Sequence, residues 1–239
     1  MAIINRPAVF NSRNGKGGSP LSEMTRFGDP QLGSEVVGYS MTANRAEVEL
    51  DLRTKRFTAR RLTSSDYAEV RRVMSANRDR LLPSGQSAGS DGFLSEDEFA
   101  EEVESLDRLW AMDQRYEWGW FQGDELIART GLWGVLRGTV QSAFGAGWVA
   151  ESVAKSGAGK ETWAGTMQFA FDVLELHRVE QPTLTDNLPM LHLQAEVLGL
   201  SDEGVIPNYM MVNGVWRDHR KFVLTAEEWE QRREEWLRD

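Results

Sequence analysis

The segment from Tyr116 to Trp133 constrains the fold more than any other part of the chain. Tyr116, Trp118 and Trp120 recur at every second position through Phe121, the spacing of a strand with one aromatic face. Gln122-Gly123-Asp124-Glu125 is a turn of hairpin type, and Leu126 to Trp133 reads as the returning strand. Gln141 to Val149 forms another strand, so three strands follow one another in mid-chain. Set among helices, such a block predicts a mixed α/β sheet. The tryptophans, Trp110, Trp118, Trp120, Trp133 and Trp148, suit a core better than a cofactor box, with an aromatic-lined cleft as the alternative.

Helical signals flank that block. Phe57 to Leu62 reads as a short strand. Thr63-Ser64-Ser65-Asp66 supplies N-cap chemistry for a helix to about Asn77, with Tyr67, Val70, Val73 and Met74 on one face. Pro83 to Gly92 is loop. Ser95-Glu96-Asp97-Glu98 begins a second helix through a capping box, running to about Arg115. Downstream, the pattern predicts a helix over Glu161 to Leu174, a strand over Arg178 to Leu184, a helix from Pro189 to about Leu198 and a strand at Phe222-Val223-Leu224. A charged terminal helix opens at Thr225. Asn213-Gly214 marks an architectural hairpin, with His219 in its turn-rich surroundings.

Residues 1–54 read differently. Asn14-Gly15-Lys16-Gly17-Gly18-Ser19-Pro20 is a plain loop, and no apolar period persists through the segment. We therefore expect an N-terminal extension, loose or interface-forming, ahead of one domain over 55–239. The 239 residues carry a formal net charge of −10, which argues against whole-molecule attraction to nucleic acid or anionic membranes. With no cysteine, disulfides, thiolate nucleophiles and cysteine zinc sites are excluded. His177, His192 and His219 are the only histidines, so no metal site is expected. The amino terminus lacks a secretory pattern and no apolar run reaches membrane-spanning length, which predicts a cytoplasmic protein.

The strongest chemical signal is Lys155-Ser156-Gly157-Ala158-Gly159-Lys160-Glu161-Thr162, a glycine-rich turn between a strand and a helix. Such a turn presents backbone N–H groups and the positive end of the helix dipole to a phosphate; a plain strand-to-helix turn is the alternative. It is not a P-loop. Ala154 occupies the position of the first glycine and Glu161 that of the magnesium-binding hydroxyl. No G-x-S-x-G or H-E-x-x-H motif is present.

From about Phe57 to Trp229 the chain resembles the GNAT superfamily of N-acetyltransferases, in its RimJ/RimL branch. The most specific pieces are Phe171 to Glu180 with its Leu176-His177-Arg178-Val179 centre, Asp186-Asn187-Leu188-Pro189, and Gly199-Leu200 with Glu203-Gly204. Asn213-Gly214-Val215-Trp216-Arg217-Asp218-His219 completes the set. The resemblance implies a GNAT-like acyl-CoA N-acyltransferase fold, a splayed central sheet flanked by helices with acetyl-CoA in the gap. It places the backbone of Val149 and the side chain of Asn187 on the pantetheine arm. It places the turn of Ser156, Gly157, Ala158, Gly159, Lys160, Glu161 and Thr162 on the pyrophosphate.

The departures from the branch pattern are equally specific. Ser156 replaces a Gln or Arg and Glu161 a small residue, with Lys155 and Lys160 only partly offsetting the acidic charge. Met190 stands where the branch carries a serine credited with protonating the leaving thiolate, and a thioether donates no proton. One residue is inserted between Leu191 and Gly199, and two before the turn. Tyr209-Met210-Met211 lacks the carboxylate sometimes used as base. Tyr209 as acid, Glu180 as base and His192 as either are the replacements. The expected function is acetyl-CoA-dependent N-acetylation of a primary amine, such as a basic protein N-terminus, by direct attack in a ternary complex, in a chain that could form a homodimer. The alternative is a catalytically degenerate relative that binds acyl-CoA or a protein partner.

Overall fold

The computed structural model describes residues 24–29, 34–39, 52–85 and 93–238. The loop Asn14–Pro20, most of the expected extension and residues 86–92 of the expected loop lie outside the described residues. The chain divides into two units, residues 1–43 and 44–239. In the first, β1 (Met24–Asp29) and β2 (Ser34–Tyr39) pair antiparallel, with Met24 opposite Tyr39.

The second unit opens with β3 (Thr58–Arg60), α1 (Tyr67–Ala76), the short α2 (Arg78–Leu81) and α3 (Glu96–Ala111). The meander β4 (Arg115–Gln122), β5 (Glu125–Leu136) and β6 (Ser142–Val149) follows, then α4 (Ala158–Gln168), β7 (Arg178–Leu184) and α5 (Leu188–His192). The hairpin β8 (Ser201–Val212) and β9 (Val215–Thr225) leads into α6 (Ala226–Leu237). The sheet order is β3-β4-β5-β6-β7-β9-β8, with every pair antiparallel except β6–β7. This is the expected mixed sheet.

The two faces carry separate cores. Trp118, Trp120, Phe169, Trp163, Phe222 and Leu224 pack on the side of α4 and α6. Leu62, Val70, Val73, Phe99, Phe121 and Trp148 pack on the side of α1 and α3. The aromatic alternation of β4 is what sorts these residues, since Tyr116, Trp118 and Trp120 all point to the α4 side. Trp120 is the tightest fit. Its Nε1 donates to Thr130 Oγ1 at 2.8 Å, and its ring lies where a β-carbon on Gly165 would come within 2.4 Å of Cη2. Only a glycine in α4 allows that ring between helix and sheet.

Several boundaries differ from expectation. α3 stops at Ala111 because Asp113 adopts φ 57° and turns its carboxylate onto Tyr116 Oη and the Arg137 guanidinium. β8 was not anticipated as a strand. It is an edge strand with little burial, so its apolar residues do not alternate with polar ones. β9 extends well beyond Phe222–Leu224, over 11 residues, and Asn213 (φ 51°) and Gly214 (φ 80°) make the anticipated hairpin turn. Two helices end in wide π turns, Phe169–Val173 after α4 and Leu193–Val197 after α5. No helix among the described residues is long and apolar enough to cross a membrane.

At the start of the unit Arg60 grips both oxygens of Asp66 (2.8 and 2.6 Å), and Asp66 accepts from the Thr63 amide. The Arg60 hydrogen bond, helped by Thr63, outweighs burial and holds the Asp66 carboxyl below its ordinary value. A depressed carboxylate stabilises fully above its unfolded pKa of about 4, and this contribution is lost as pH falls further. Asp66→Asn should therefore cost about 1–3 kcal/mol in urea unfolding at neutral pH. The deficit should shrink in acid, and an equal deficit at all pH values would refute the ionic account. Gly165→Ala should cost about 1–3 kcal/mol by overpacking against Trp120. An unchanged unfolding midpoint would show that α4 is free to move away.

Candidate active site

The site begins where β6 and β7 part. They pair only from Ser142–Phe144 to Arg178–Glu180. Beyond that, β6 follows β5 as far as Val149, while β7 follows β9 as far as Leu184. Each strand is held by an antiparallel neighbour on its far side, and the two open like a V. Gly145 and Gly147 face the α4 side. A β-carbon on Gly145 would meet Trp163 at 3.1 Å and Gln181 at 3.2 Å, and one on Gly147 would lie 2.6 Å from the Arg129 carbonyl.

The opening forms a cleft of about 340 Å³, bordered by Gly145–Gly147, Pro182–Leu184, Asn187, Met190, Gln194 and His219. The tip of the β8–β9 hairpin closes one end. Asn213 Nδ2 donates to the Leu82 carbonyl at 2.9 Å, and Val212 lies against Gly85.

The glycine-rich turn stands at the wide end of the V. Lys155 (φ 60°) and Gly157 (φ 87°) turn the chain into α4, and Gly157 provides no side-chain cap. The first intrahelical bond in this turn runs from the Glu161 amide to the Gly157 carbonyl at 3.1 Å. The amides of Ala158 and Gly159 thus stand at a helix N-terminus without a side-chain cap, which suits an anion. Gly159 keeps this end slim, since its β-carbon would sit 3.2 Å from Leu193.

The remaining turn residues point elsewhere. Ser156 Oγ donates to the Val153 carbonyl (2.7 Å). The Thr162 hydroxyl is buried and donates to the Ala158 carbonyl (2.9 Å). Asn187 caps α5, accepting from the Met190 amide while bordering the cleft. The Val149 carbonyl accepts from Arg80, which also bonds Asn77 Oδ1 at 3.1 Å.

Glu161 has a partner that motif reading missed. Arg56, just ahead of β3, donates from its amide (2.9 Å) and from Nε (2.6 Å) to the two carboxylate oxygens. Its Nη1 donates to the Ser156 carbonyl at 3.1 Å. The acidic residue is therefore neutralised by Arg56, and the lysines are not its principal counter-charge. The two residues lie 105 positions apart, beyond the range of any local motif.

Glu180 is held in an ion cluster, with Arg178 Nε at 3.0 Å and Lys221 Nζ at 3.4 Å, both cations also pairing with Glu203. His192 is exposed in the last turn of α5. Tyr209 is half-buried and sits edge-on to His219, ring centres 6.0 Å apart. His219 is only 4% exposed and borders the cleft. Its Nδ1 lies 3.0 Å from the Arg217 carbonyl, which can only accept, so Nδ1 carries the proton and Nε2 the lone pair of the neutral ring. The hairpin motif around His219 pointed to architecture. Its place beside the cleft follows from β9 pairing with β7, where His219 stands opposite Leu184.

A second cavity, also about 340 Å³, lies on the α1–α3 face and shares Gly85, Trp133, Ala146 and Gly147 with the cleft. Aromatic walls (Tyr67, Phe99, Trp148) surround Arg71, Glu102, Arg115, Glu117 and Arg129. Arg129 pairs with Glu117 and with Glu102 (2.8 Å), and Arg115 Nε with Glu117 (2.8 Å). Burial opposes the Glu117 charge, but Arg129 and Arg115 outweigh it and hold the carboxyl below its usual range. Glu117 is thus an ionised, paired group and a poor proton acceptor. Trp133 is 37% exposed and borders both cavities, so among the five tryptophans it alone fits the aromatic-cleft alternative in full.

No family model matches the chain. A probable N-acetyltransferase of Bacillus subtilis (strain 168), YjcK, is 28% identical over 182 residues, covering 75% of this chain and 99% of its own. Among solved structures, Mycobacterium smegmatis RimJ in complex with CoA-disulfide superposes with a TM-score of 0.69 at 25% identity, covering 76% of this chain and 87% of its own. The ribosomal-protein-S5-alanine acetyltransferase of Vibrio fischeri superposes with a TM-score of 0.67 over 76% of this chain and 99% of its own; at 17% identity it speaks for the fold alone.

Arg56→Ala should leave Glu161 unopposed beside the uncapped helix end and weaken acetyl-CoA binding roughly tenfold in titration calorimetry. Arg56→Ala combined with Glu161→Gln should recover most of that loss. Equal affinity in the wild type and Arg56→Ala would show that Glu161 does not act on the cofactor.

Proposed function

Since this chain belongs to the GNAT superfamily of N-acetyltransferases and takes acetyl-CoA as its acyl donor, we propose that its acceptor is the α-amino group of a protein N-terminus. The observation that carries this reading is the junction of the two cavities, which share four bordering residues across the parted strands. The cleft on the α4 side of the sheet thereby communicates with an aromatic pocket lined by charged side chains on the other. Arg71, Arg115 and Arg129 outnumber Glu102 and Glu117 around the pocket, so it disfavours a cationic first side chain. Basic residues further along the acceptor would answer to the −10 charge of the chain.

The uncapped end of α4 and the open strand edges fit the donor. The amides of Ala158 and Gly159 would hold its pyrophosphate, and Asn187 would meet its pantetheine arm. When bound, acetyl-CoA supplies the thioester that a neutral amine attacks. His219 is the base in this reading. Its Nδ1–H is fixed on the Arg217 carbonyl, which orients the ring and leaves Nε2 to take the amine proton. Tyr209, on the paired strand of the same hairpin, supplies the proton that Met190 cannot. Glu180 and His192 take no part. The first is occupied by Arg178 and Lys221, and the second is exposed.

Incubation with acetyl-CoA and peptides beginning in Ala or Ser, read by mass spectrometry, should give acetylation at the α-amine. Modification of lysine side chains alone would overturn the acceptor assignment. His219→Asn should lower kcat about 100-fold with KM for acetyl-CoA within about twofold. Full activity in that variant would place the base elsewhere.

A further inference from the structure

The apex of the V holds two buried amides that satisfy only part of their hydrogen-bonding capacity. Gln181 directly follows Glu180, the last β7 residue paired with β6, and is 1% exposed. Gln194 borders the cleft and is 2% exposed. Gln194 Nε2 donates to Gln181 Oε1 at 3.0 Å. Gln181 Nε2 and Gln194 Oε1 are left without a partner among the described residues. Turning both amides over makes the reciprocal bond and again leaves one donor and one acceptor. A buried amide with an unmade bond is costly in a native core.

The chain places Gln194 there by an irregularity in the helix. The wide turn Leu193–Val197 is closed by the Leu198 amide on the Leu193 carbonyl at 2.8 Å, five residues back. This π turn widens the last turn of the helix, in which Gln194 is the buried residue. On the sheet side Gly145 lets Gln181 pack close to β6, since a β-carbon there would lie 3.2 Å from Gln181 Cγ.

We propose that Gln194, backed by Gln181, is the side-chain contact for a pantetheine amide of the acyl donor. An amide offers one N–H and one C=O, the complement of the donor and acceptor left on the pair. A thioester offers only acceptors and would leave the spare oxygen unmet. The contact would position the acyl end at the apex, in a chain where Met190 contributes no polar group to the same helix. The proposal rests on the acetyltransferase reading.

The test uses the full chain and two probes, acetyl-CoA and adenosine 3′,5′-bisphosphate, which carries the nucleotide without the pantetheine arm. Gln194→Met should weaken acetyl-CoA binding by about tenfold in titration calorimetry and leave the bisphosphate within twofold. Gln181→Met should act in the same direction, so either variant that retains native tryptophan fluorescence serves. Unchanged acetyl-CoA affinity together with a shifted melting temperature would overturn the proposal and make the pair a closed structural contact. Equal weakening of both probes would overturn it as a general disturbance of the site. A wild-type chain that binds the bisphosphate but not acetyl-CoA would remove the acetyltransferase reading itself, and the proposal with it.

Discussion

The parting of β6 from β7 is the constraint on which the rest of this molecule depends. Two parallel strands share only the stretch Ser142–Phe144 with Arg178–Glu180, and each is then drawn away by an antiparallel neighbour. A parallel pair is the weaker partner in such a contest, because its slanted bonds give slightly less per residue. The consequence is a sheet with an opening through its middle, left free of side chains on the α4 side by Gly145 and Gly147. The turn into α4, the cap of α5 and the tip of the β8–β9 hairpin all gather at that opening, because each follows or faces one of the diverging strand ends.

Electrostatics then decide what the opening accepts. The N-terminus of α4 is uncapped, and the one carboxylate near it is taken up by Arg56 from a distant part of the chain. On the other face, Glu102 and Glu117 pair with Arg115 and Arg129 in a pocket with aromatic walls that Arg71 also lines. The whole-chain charge of −10 is therefore a poor guide to either cavity. Local pairing governs potential at short range, while net charge governs only what approaches from afar.

Sequence reading located much of this arrangement and missed identifiable parts. The aromatic period of β4, the hairpin turn at Gly123, the capping box at Ser95–Glu98 and the Asn213-Gly214 turn are local signals, and the structure realises each of them. The strand β8 was invisible because an edge strand buries too little to impose a hydrophobic alternation. Glu180 attracted attention as an acidic residue beside a motif, yet its lone pairs face Arg178 and Lys221, one of them on another strand. His219 was absorbed into a hairpin signal, although the register of β9 against β7 sets it beside the cleft. The helix from Pro189 to about Leu198 was legible, but the π turn that closes it was not.

The sequence by itself determined the element order, the mixed character of the sheet and the glycine-rich entry to α4. These arise from periodicity, caps and backbone freedom within a few residues of one another. Only the tertiary structure decided that Arg56 meets Glu161, that Gln181 meets Gln194, and that His219 rather than Glu180 borders the opening. Those outcomes depend on how strands from distant segments register and diverge. Hydrogen-bond geometry between side chains is set by that register, and no spacing along the chain encodes it.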